Sequence, residues 1–213
     1  MNTQPGLRER KKQRTREAIV RAAQQLFVER GYHGTTLPDI AEAADVSTRT
    51  IFGYFASKED ILFADLDQQK AALARAVADR PAGSDTLEAV REFILSTRRA
   101  DRSELDEQLT VLTSHDPNLR SLRRARLTQV VEVLAPAIAE DLRAAPEDPR
   151  TQLVIASLAA GFGLLIDRGA AKTRRLTPRE IAAQIDPVIT FVRAGLDALK
   201  NSGTSQRTGR RES

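Results

Sequence analysis

The chain has 213 residues and a formal net charge of +4, with 41% hydrophobic and 29% charged residues. This composition is typical of a globular protein and excludes a fibrous or wholly disordered chain. Cysteine is absent, which excludes disulfides and thiolate zinc sites, and the only histidines are His33 and His115. We therefore expect no metal site and no cofactor.

The longest nearly apolar stretch, from Leu153 to Ile166, has 14 residues. A membrane-spanning helix needs roughly 18 or more. The N-terminus is polar and basic and lacks the apolar core of a secretory signal. These observations predict a cytoplasmic protein that has no membrane partner.

Positive charge is concentrated at the two ends of the sequence. Residues 1–16 hold six basic residues and one acid, residues 200–213 hold four and one, and the middle is net acidic. A basic arm on a mildly acidic body indicates a polyanionic partner. The same charge also fits a solvated tail that only aids solubility. We predict a disordered basic arm over residues 1–9 and a disordered basic tail over 201–213.

Apolar residues recur at helical spacing along the chain, and no stretch keeps the alternation of a strand. This predicts an all-α fold of about nine helices. In the first third we expect a helix over 10–30, short helices that begin at Thr36 and Ser47, and a long helix from Ser57 to about Asp79.

Later helix starts are marked by local signals. Residues 85–88 and 177–180 read as capping boxes, and the Asp-Pro pairs at 116–117 and 148–149 place a cap before a proline at the first helical position. Pro136 and Pro187 fall inside the predicted seventh and ninth helices, and we expect each to kink its helix.

The two short helices, 36–44 and 47–55, are separated by a tight turn at residues 45–46, which is the spacing of a helix-turn-helix. Ile51 and Phe55 face the core. None of the outward residues is acidic, and an acid there would repel phosphates. The pattern predicts a DNA-binding surface, although helical hairpins are also common in all-α proteins without that function. The outward residues are Thr48, Arg49, Thr50, Gly53 and Tyr54.

Residues 31–41 (GYHGTTLPDIA), 46–47 (VS) and 54–59 (YFASKE) resemble the TetR family of bacterial transcriptional regulators. The resemblance covers about residues 10–66, and the rest of the chain matches only in helix count and order. It implies a helix-turn-helix DNA-binding domain over 10–56 and a ligand-binding and dimerisation domain over 57–200.

The resemblance also implies roles for single residues. Thr36 matches a phosphate contact, and Thr48, Arg49 and Thr50 hold the base-reading and adjacent positions of the recognition helix. Tyr54 and Lys58 match backbone clamps. The full predicted DNA-binding set is Thr36, Ser47, Thr48, Arg49, Thr50, Phe52, Gly53, Tyr54 and Lys58.

Four positions depart from the family pattern. Asp45 replaces the usual turn glycine, at a small conformational cost. Phe52 replaces the usual tyrosine, so the phosphate hydrogen bond is lost and only apolar contact remains. Arg49 replaces a commonly small residue and adds a guanidinium that can read guanine. Because Pro38 also cannot make a polar base contact, no relative supplies the operator sequence.

The predicted helix over about 149–168 is apolar nearly all round and must be buried on more than one side. The following helix is also broadly apolar, and the chain has too few other helices to cover both. This predicts a homodimer, and the resemblance implies the same four-helix interface. A monomer with a large core is the alternative. The predicted interface residues are Ala156, Ala160, Gly163, Ile185 and Val192.

By the same resemblance, the helices between residues 57 and 168 enclose an effector pocket. Few aromatic residues follow residue 63, which favours an aliphatic pocket. Arg126 lies within an apolar helix face, with Arg123 beside it. It either binds an anionic acyl ligand, pairs with an acid such as Glu92 or Glu104, or reaches the surface. His115 is either a pocket group or a capping residue. The predicted pocket is Phe93, Leu112, His115, Arg123, Arg126, Val130 and Phe162.

Together these features predict a ligand-responsive repressor that binds a palindromic operator as a homodimer and is released by a small-molecule effector. The alternative is an all-helical architectural DNA-binding or interaction protein without effector control. The sequence has no glycine-rich phosphate loop and no nucleophile–base signature, so we predict that the protein is not an enzyme.

Overall fold

The structure, a computed structural model, describes residues 6–81, 83–99, 104–170 and 177–208. Every regular element in these residues is a helix, which confirms the all-α prediction. None of the helices described is long and apolar enough to cross a membrane. The chain divides into two compact units, Met1–Asp65 with Arg102–Pro117, and Leu66–Asp101 with Asn118–Ser213.

The first unit contains five helices around a small apolar core. Helix α1 ends where Gly31 adopts a positive φ of 76°, a conformation that glycine reaches without strain. Its inner face packs against α2, α4 and α7. The helices are α1 (Leu7–Arg30), α2 (Leu37–Ala43), α3 (Thr48–Phe52), α4 (Lys58–Leu62) and α7 (Glu104–His115), and the fully buried anchors include Ile19, Phe27, Ile40, Ile51 and Ile61.

The second unit contains the other six helices and the larger core. Helix α11 packs against both α10 and α6. A Cβ added at Gly161 would stand 2.5 Å from Cγ1 of Val188, so this glycine permits the close approach of α10 and α11. The helices are α5 (Ala64–Ala78), α6 (Thr86–Arg99), α8 (Pro117–Glu132), α9 (Ala135–Leu142), α10 (Pro149–Ala170) and α11 (Pro178–Thr208).

The described residues form eleven helices rather than about nine, because two predicted helices are each divided in two. The predicted helix from Ser57 to Asp79 breaks at Phe63. Residues 61–64 are all buried, and four consecutive residues cannot share one face of a straight helix. The predicted seventh helix breaks after Glu132, and Pro136 stands in the first turn of α9, where its missing N–H does no harm. Pro136 therefore begins a helix instead of kinking one, whereas Pro187 lies inside α11 as predicted.

Both predicted disordered ends are partly wrong. Helix α1 begins at Leu7, so residues 7–9 are helical, and α11 continues to Thr208, so residues 201–208 are helical too. Once a helix is nucleated, each added residue needs only one more hydrogen bond, which favours such extension. Residues 1–5 and 209–213 lie outside the described residues.

The predicted caps are largely confirmed. Thr177 and Glu180 form a reciprocal capping box, in which Glu180 Oε2 accepts from Thr177 N at 2.8 Å. Asp148 Oδ1 accepts from the N–H of Arg150 at 2.9 Å at the start of α10. At α6, Asp85 accepts from Leu87 N as expected. The expected second half of that box is replaced, because the Glu88 carboxylate faces Arg91 and Arg193.

Candidate nucleic-acid interface

Helices α2 and α3 form the helix-turn-helix. Asp45, at the position where the family has glycine, adopts a positive φ of 53°. Beside it, Val46 N donates to Ala41 O at 2.9 Å and closes the turn. An aspartate tolerates this left-handed conformation better than most side chains, which explains how the turn forms without glycine.

Buried anchors and a cap hold α3 in place. Ile51 is fully buried and Phe55 is 5% exposed, so the inner face of the helix is fixed in the core. Ser47 Oγ accepts from Thr50 N at 3.0 Å and lies 2.8 Å from Thr50 Oγ1. Two predicted DNA contacts, Ser47 and Thr50, therefore also serve as the helix cap.

The outer face of α3 presents Arg49, Phe52 and Gly53 to solvent, while Thr48, Thr50 and Tyr54 are half-buried. Phe52 is 57% exposed, which is unusual for a large apolar side chain. Arg49 and Phe52 are three residues apart and share one face of the helix. No acid lies among these outward residues.

At the start of α2, Thr36 and Asp39 form a capping box. The Thr36 N–H and hydroxyl both donate to Asp39 Oδ2, at 2.8 and 2.5 Å. These bonds hold the pKa of the Asp39 carboxyl below its ordinary value. The Thr36 hydroxyl predicted to contact phosphate thus already has a partner. Sequence reasoning missed Asp39, although the Thr-x-x-Asp spacing is a capping signal.

Lys58 is bound to the loop between α1 and α2. Its Nζ donates to the carbonyls of Tyr32 and Thr35, each at 2.8 Å, and lies 4.1 Å from the centre of the Tyr32 ring. The Tyr32 hydroxyl donates to Glu59. Burial and this bond raise the pKa of Tyr32, and the same bond lowers the pKa of Glu59. The start of α4 is thus tied to the loop that precedes the helix-turn-helix, a network that sequence reasoning missed.

The two histidines have separate local partners. His33 Nε2 lies 2.7 Å from Asp116 Oδ2 and joins the loop after α1 to the residue before α8. His115, predicted as a pocket residue, is exposed, and its Nδ1 lies 2.8 Å from Val111 O in the last turn of α7. This contact is the capping alternative that the sequence left open.

Three of the predicted pocket residues belong to, or pack against, one apolar cluster of the second unit. Val130 belongs to its main core cluster, and Phe93 and Phe162 are partly buried against that cluster. Arg123 and Arg126 are half-buried on α8. Leu112 and His115 lie on α7, which belongs to the first unit.

The predicted dimer residues divide into two groups. Ala156 and Ala160 are exposed, and a Cβ added at Gly163 would meet nothing within 4 Å. Ile185 and Val192 were wrongly predicted, because both are 3% exposed within the single chain. Ile185 packs with Leu95 of α6, so α6 covers the side of α11 that the sequence left without a partner.

A different part of these two helices is exposed and apolar. Leu153 is 58% exposed and Leu164 57% on α10, and Phe191 is 72% exposed on α11. The spacing of Leu153, Ala156, Ala160 and Leu164 places them on one face of α10. We call Leu153, Ala156, Ala160, Leu164 and Phe191 the outer apolar face.

The described residues are all helical or connecting loops, with a capped helix-turn-helix in one unit and the remaining helices in the other. This combination is typical of helix-turn-helix regulators. Residues 19–64 match the model of a family described as bacterial regulatory proteins, tetR family. Residues 19–64 therefore form a DNA-binding domain of the TetR family.

Relatives agree with this assignment. The transcriptional regulator TcmR of Streptomyces glaucescens is 44% identical over 86 residues, 40% of this chain and 38% of that protein. The chain thus spans well under two thirds of that relative.

Two solved structures share the fold over most of the chain. Thermus thermophilus FadR, a TetR family repressor solved with lauroyl-CoA, is 28% identical with a TM-score of 0.56 and covers 84% of this chain and 94% of its own. Bacillus halodurans FadR, a fatty acid degradation regulator, is 19% identical with a TM-score of 0.58 and covers 89% and 96%. All three relatives are described as regulators rather than enzymes.

Proposed function

We propose that this chain is a homodimeric transcriptional repressor that binds palindromic operator DNA and is released by a small acyl ligand. The observation that carries the proposal is the outer face of α3, where Arg49, Phe52 and Gly53 stand exposed without an acid among them. A rigid helix of this kind fits the major groove of DNA.

DNA contacts are divided between reading and positioning residues. Arg49 reads a guanine through its guanidinium, with Thr48 beside it. Tyr54 and Lys58 contact phosphates. Lys58 has three N–H donors, of which two bind the Tyr32 and Thr35 carbonyls. The third donates to a DNA phosphate. The exposed basic residues of α1 attract the duplex without choosing a sequence, and they are Arg8, Arg10, Lys11, Lys12 and Arg14.

Dimerisation uses the outer apolar face. Two exposed leucines on α10, Leu153 and Leu164, and the exposed Phe191 on α11 favour association, because burial against a second copy removes them from water. A symmetric contact creates a two-fold axis and pairs two α3 helices. The operator is then a palindrome with half-sites one helical turn or more apart.

The effector binds in the second unit, beside Phe93, Val130 and Phe162. Their apolar cluster suits an aliphatic chain, and Arg123 and Arg126 supply positive charge for an anionic headgroup. The lauroyl-CoA complex of the Thermus thermophilus relative, 28% identical over most of its length, supports an acyl ligand here.

Selection from a pool of randomised duplexes, followed by footprinting, tests the proposal. We expect one enriched palindrome, protected by the protein and released by a long-chain acyl thioester or fatty acid. Enrichment without a shared sequence would instead indicate an architectural DNA-binding protein. Protection that no acyl compound relieves would refute the effector class.

A further inference from the structure

Phe52 is exposed at the place where the proposed function puts DNA. Its side chain is 57% exposed at the end of α3, while its neighbours Ile51 and Phe55 are buried. An exposed phenylalanine costs free energy in water, and this one is held outward by the anchors on either side of it. Its exposure is therefore built into the way α3 packs.

The chemistry of phenylalanine restricts what Phe52 can contact in DNA. It has no hydroxyl, so it cannot donate to a phosphate or to a base edge. The one apolar group on the floor of the major groove is the C5-methyl of thymine. A ring that enters the groove beside hydrogen-bonding side chains finds a favourable partner only there.

The surroundings of Phe52 leave its ring room to enter the groove. Arg49 lies one turn earlier on the same face, so the two side chains meet neighbouring base pairs. The next residue is Gly53, whose φ of −72° does not require a glycine. The missing side chain keeps the surface beside the ring clear.

We infer that Phe52 is a specificity-determining residue that reads a thymine through the C5-methyl group of the base. This inference rests on the proposed function and places the thymine next to the base pair read by Arg49. The contact adds sequence preference without a hydrogen bond. Phe52 thus gives this chain an operator preference that a phosphate-binding residue at the same position would not provide.

The test removes the methyl from the DNA and the ring from the protein. The probe is the duplex that the wild-type protein selects from a randomised pool, with deoxyuridine placed at one thymine position of both half-sites at a time. Deoxyuridine keeps every hydrogen-bonding group of thymine and lacks only the methyl. Binding is measured for the wild type, for Phe52→Ala and for Phe52→Leu, which keeps an apolar side chain.

At one thymine position we expect the wild type to lose about fourfold in affinity per half-site, the factor that burial of one methyl contributes. Phe52→Ala should bind the thymine and deoxyuridine duplexes equally, and Phe52→Leu should keep part of the difference. Leu7→Ala, at another exposed apolar residue of the first unit, should behave as the wild type.

Equal wild-type affinity for every deoxyuridine duplex would overturn the inference, as would an equal loss in the wild type and Phe52→Ala. In both cases the selected operator still stands and the proposed function survives. If no sequence is selected, the proposed function fails and the inference fails with it. Matching thermal unfolding of the variants and the wild type would show that they are folded.

Discussion

The two units of the chain differ in what holds them together. In the first unit, specific polar contacts supplement the apolar core, such as the Thr36–Asp39 box and the bonds from Lys58 to two loop carbonyls. The second depends mainly on an apolar cluster packed between α10, α11 and their neighbours. The family model matches residues 19–64, which lie within the first unit.

This difference has a physical cause. Hydrogen-bonded caps and an anchored recognition helix need particular residue types, whereas an apolar core accepts other residues of similar volume. A regulator can therefore keep its DNA-reading unit and change the unit that senses a ligand. Substitutions in each unit test this division of work.

The largest effect is expected from the outer apolar face. Leu164→Arg combined with Phe191→Arg should produce monomers and weaken operator binding by about 100- to 10,000-fold, because the two α3 helices no longer act together. Both side chains are exposed in the single chain, so the monomer should stay folded. Sedimentation and operator titration measure the two effects.

Leu122→Arg is the control for this pair, since it adds the same charge at an exposed leucine on α8. It should leave the dimer and operator affinity unchanged. A folded double variant that remains dimeric would contradict the role given to the outer apolar face.

Ile51→Ala should destabilise the first unit without destabilising the second. Removing the fully buried side chain should destabilise the first unit by about 2–5 kcal/mol through the cavity left behind. Hydrogen exchange should show lost protection in α2 and α3 and unchanged protection in α10. Leu158→Ala, at a fully buried site of the second unit, should give the reverse pattern. If either variant lost hydrogen-exchange protection equally in both units, the two units would unfold as one cooperative unit.

Arg49→Ala tests whether a residue of the first unit reads a base. The loss of a bidentate guanine contact should weaken operator binding by about 1–3 kcal/mol and relax the preference at one base pair. A repeated randomised-site selection measures that preference. An unchanged selected sequence would remove Arg49 from the reading residues.

Lys58→Met should act on every DNA sequence alike. It removes two hydrogen bonds to the loop after α1, so we expect the first unit to lose about 1 kcal/mol of stability. Specific and random duplexes should both bind more weakly, and the same variant should melt earlier. A change in sequence preference would show instead that Lys58 reads a base.

The smallest effect concerns pH and the second unit. The side-chain bond from Arg150 lowers the pKa of Asp148 from 3.8 to about 2. A lowered pKa in the folded state adds stability above about pH 4 that is lost as pH falls through about 2. Asp148→Asn should melt slightly earlier than the wild type at pH 7 and match it near pH 2. An equal difference at both pH values would exclude this ion pair as the cause.

Local signals in the sequence are sufficient to predict where the short helices of the first unit begin. Thr36, Ser47 and Ser57 begin helices as predicted, because caps are recognised from a few adjacent residues. The contacts of Lys58 and the pairing of Tyr32 with Glu59 were not predictable. They join residues more than twenty positions apart, and such pairings depend on the tertiary fold.

In the second unit the sequence predicts the helices but not which of their faces are buried. Helical spacing predicts α10 and α11, yet it also places Ile185 and Val192 at the interface, and both are buried within the single chain. Periodicity shows that a face is apolar and does not show which neighbour covers it. The packing of α6 and α10 against α11 distinguishes the inner side of α11 from the side that carries Phe191.

The most direct test of the central claim is the stoichiometry of the wild-type protein on its selected operator, measured by sedimentation with a labelled duplex. We predict a free dimer at micromolar concentration and one dimer on each palindrome, with binding lost when one half-site is scrambled. A monomer that binds a single half-site with full affinity would contradict the account.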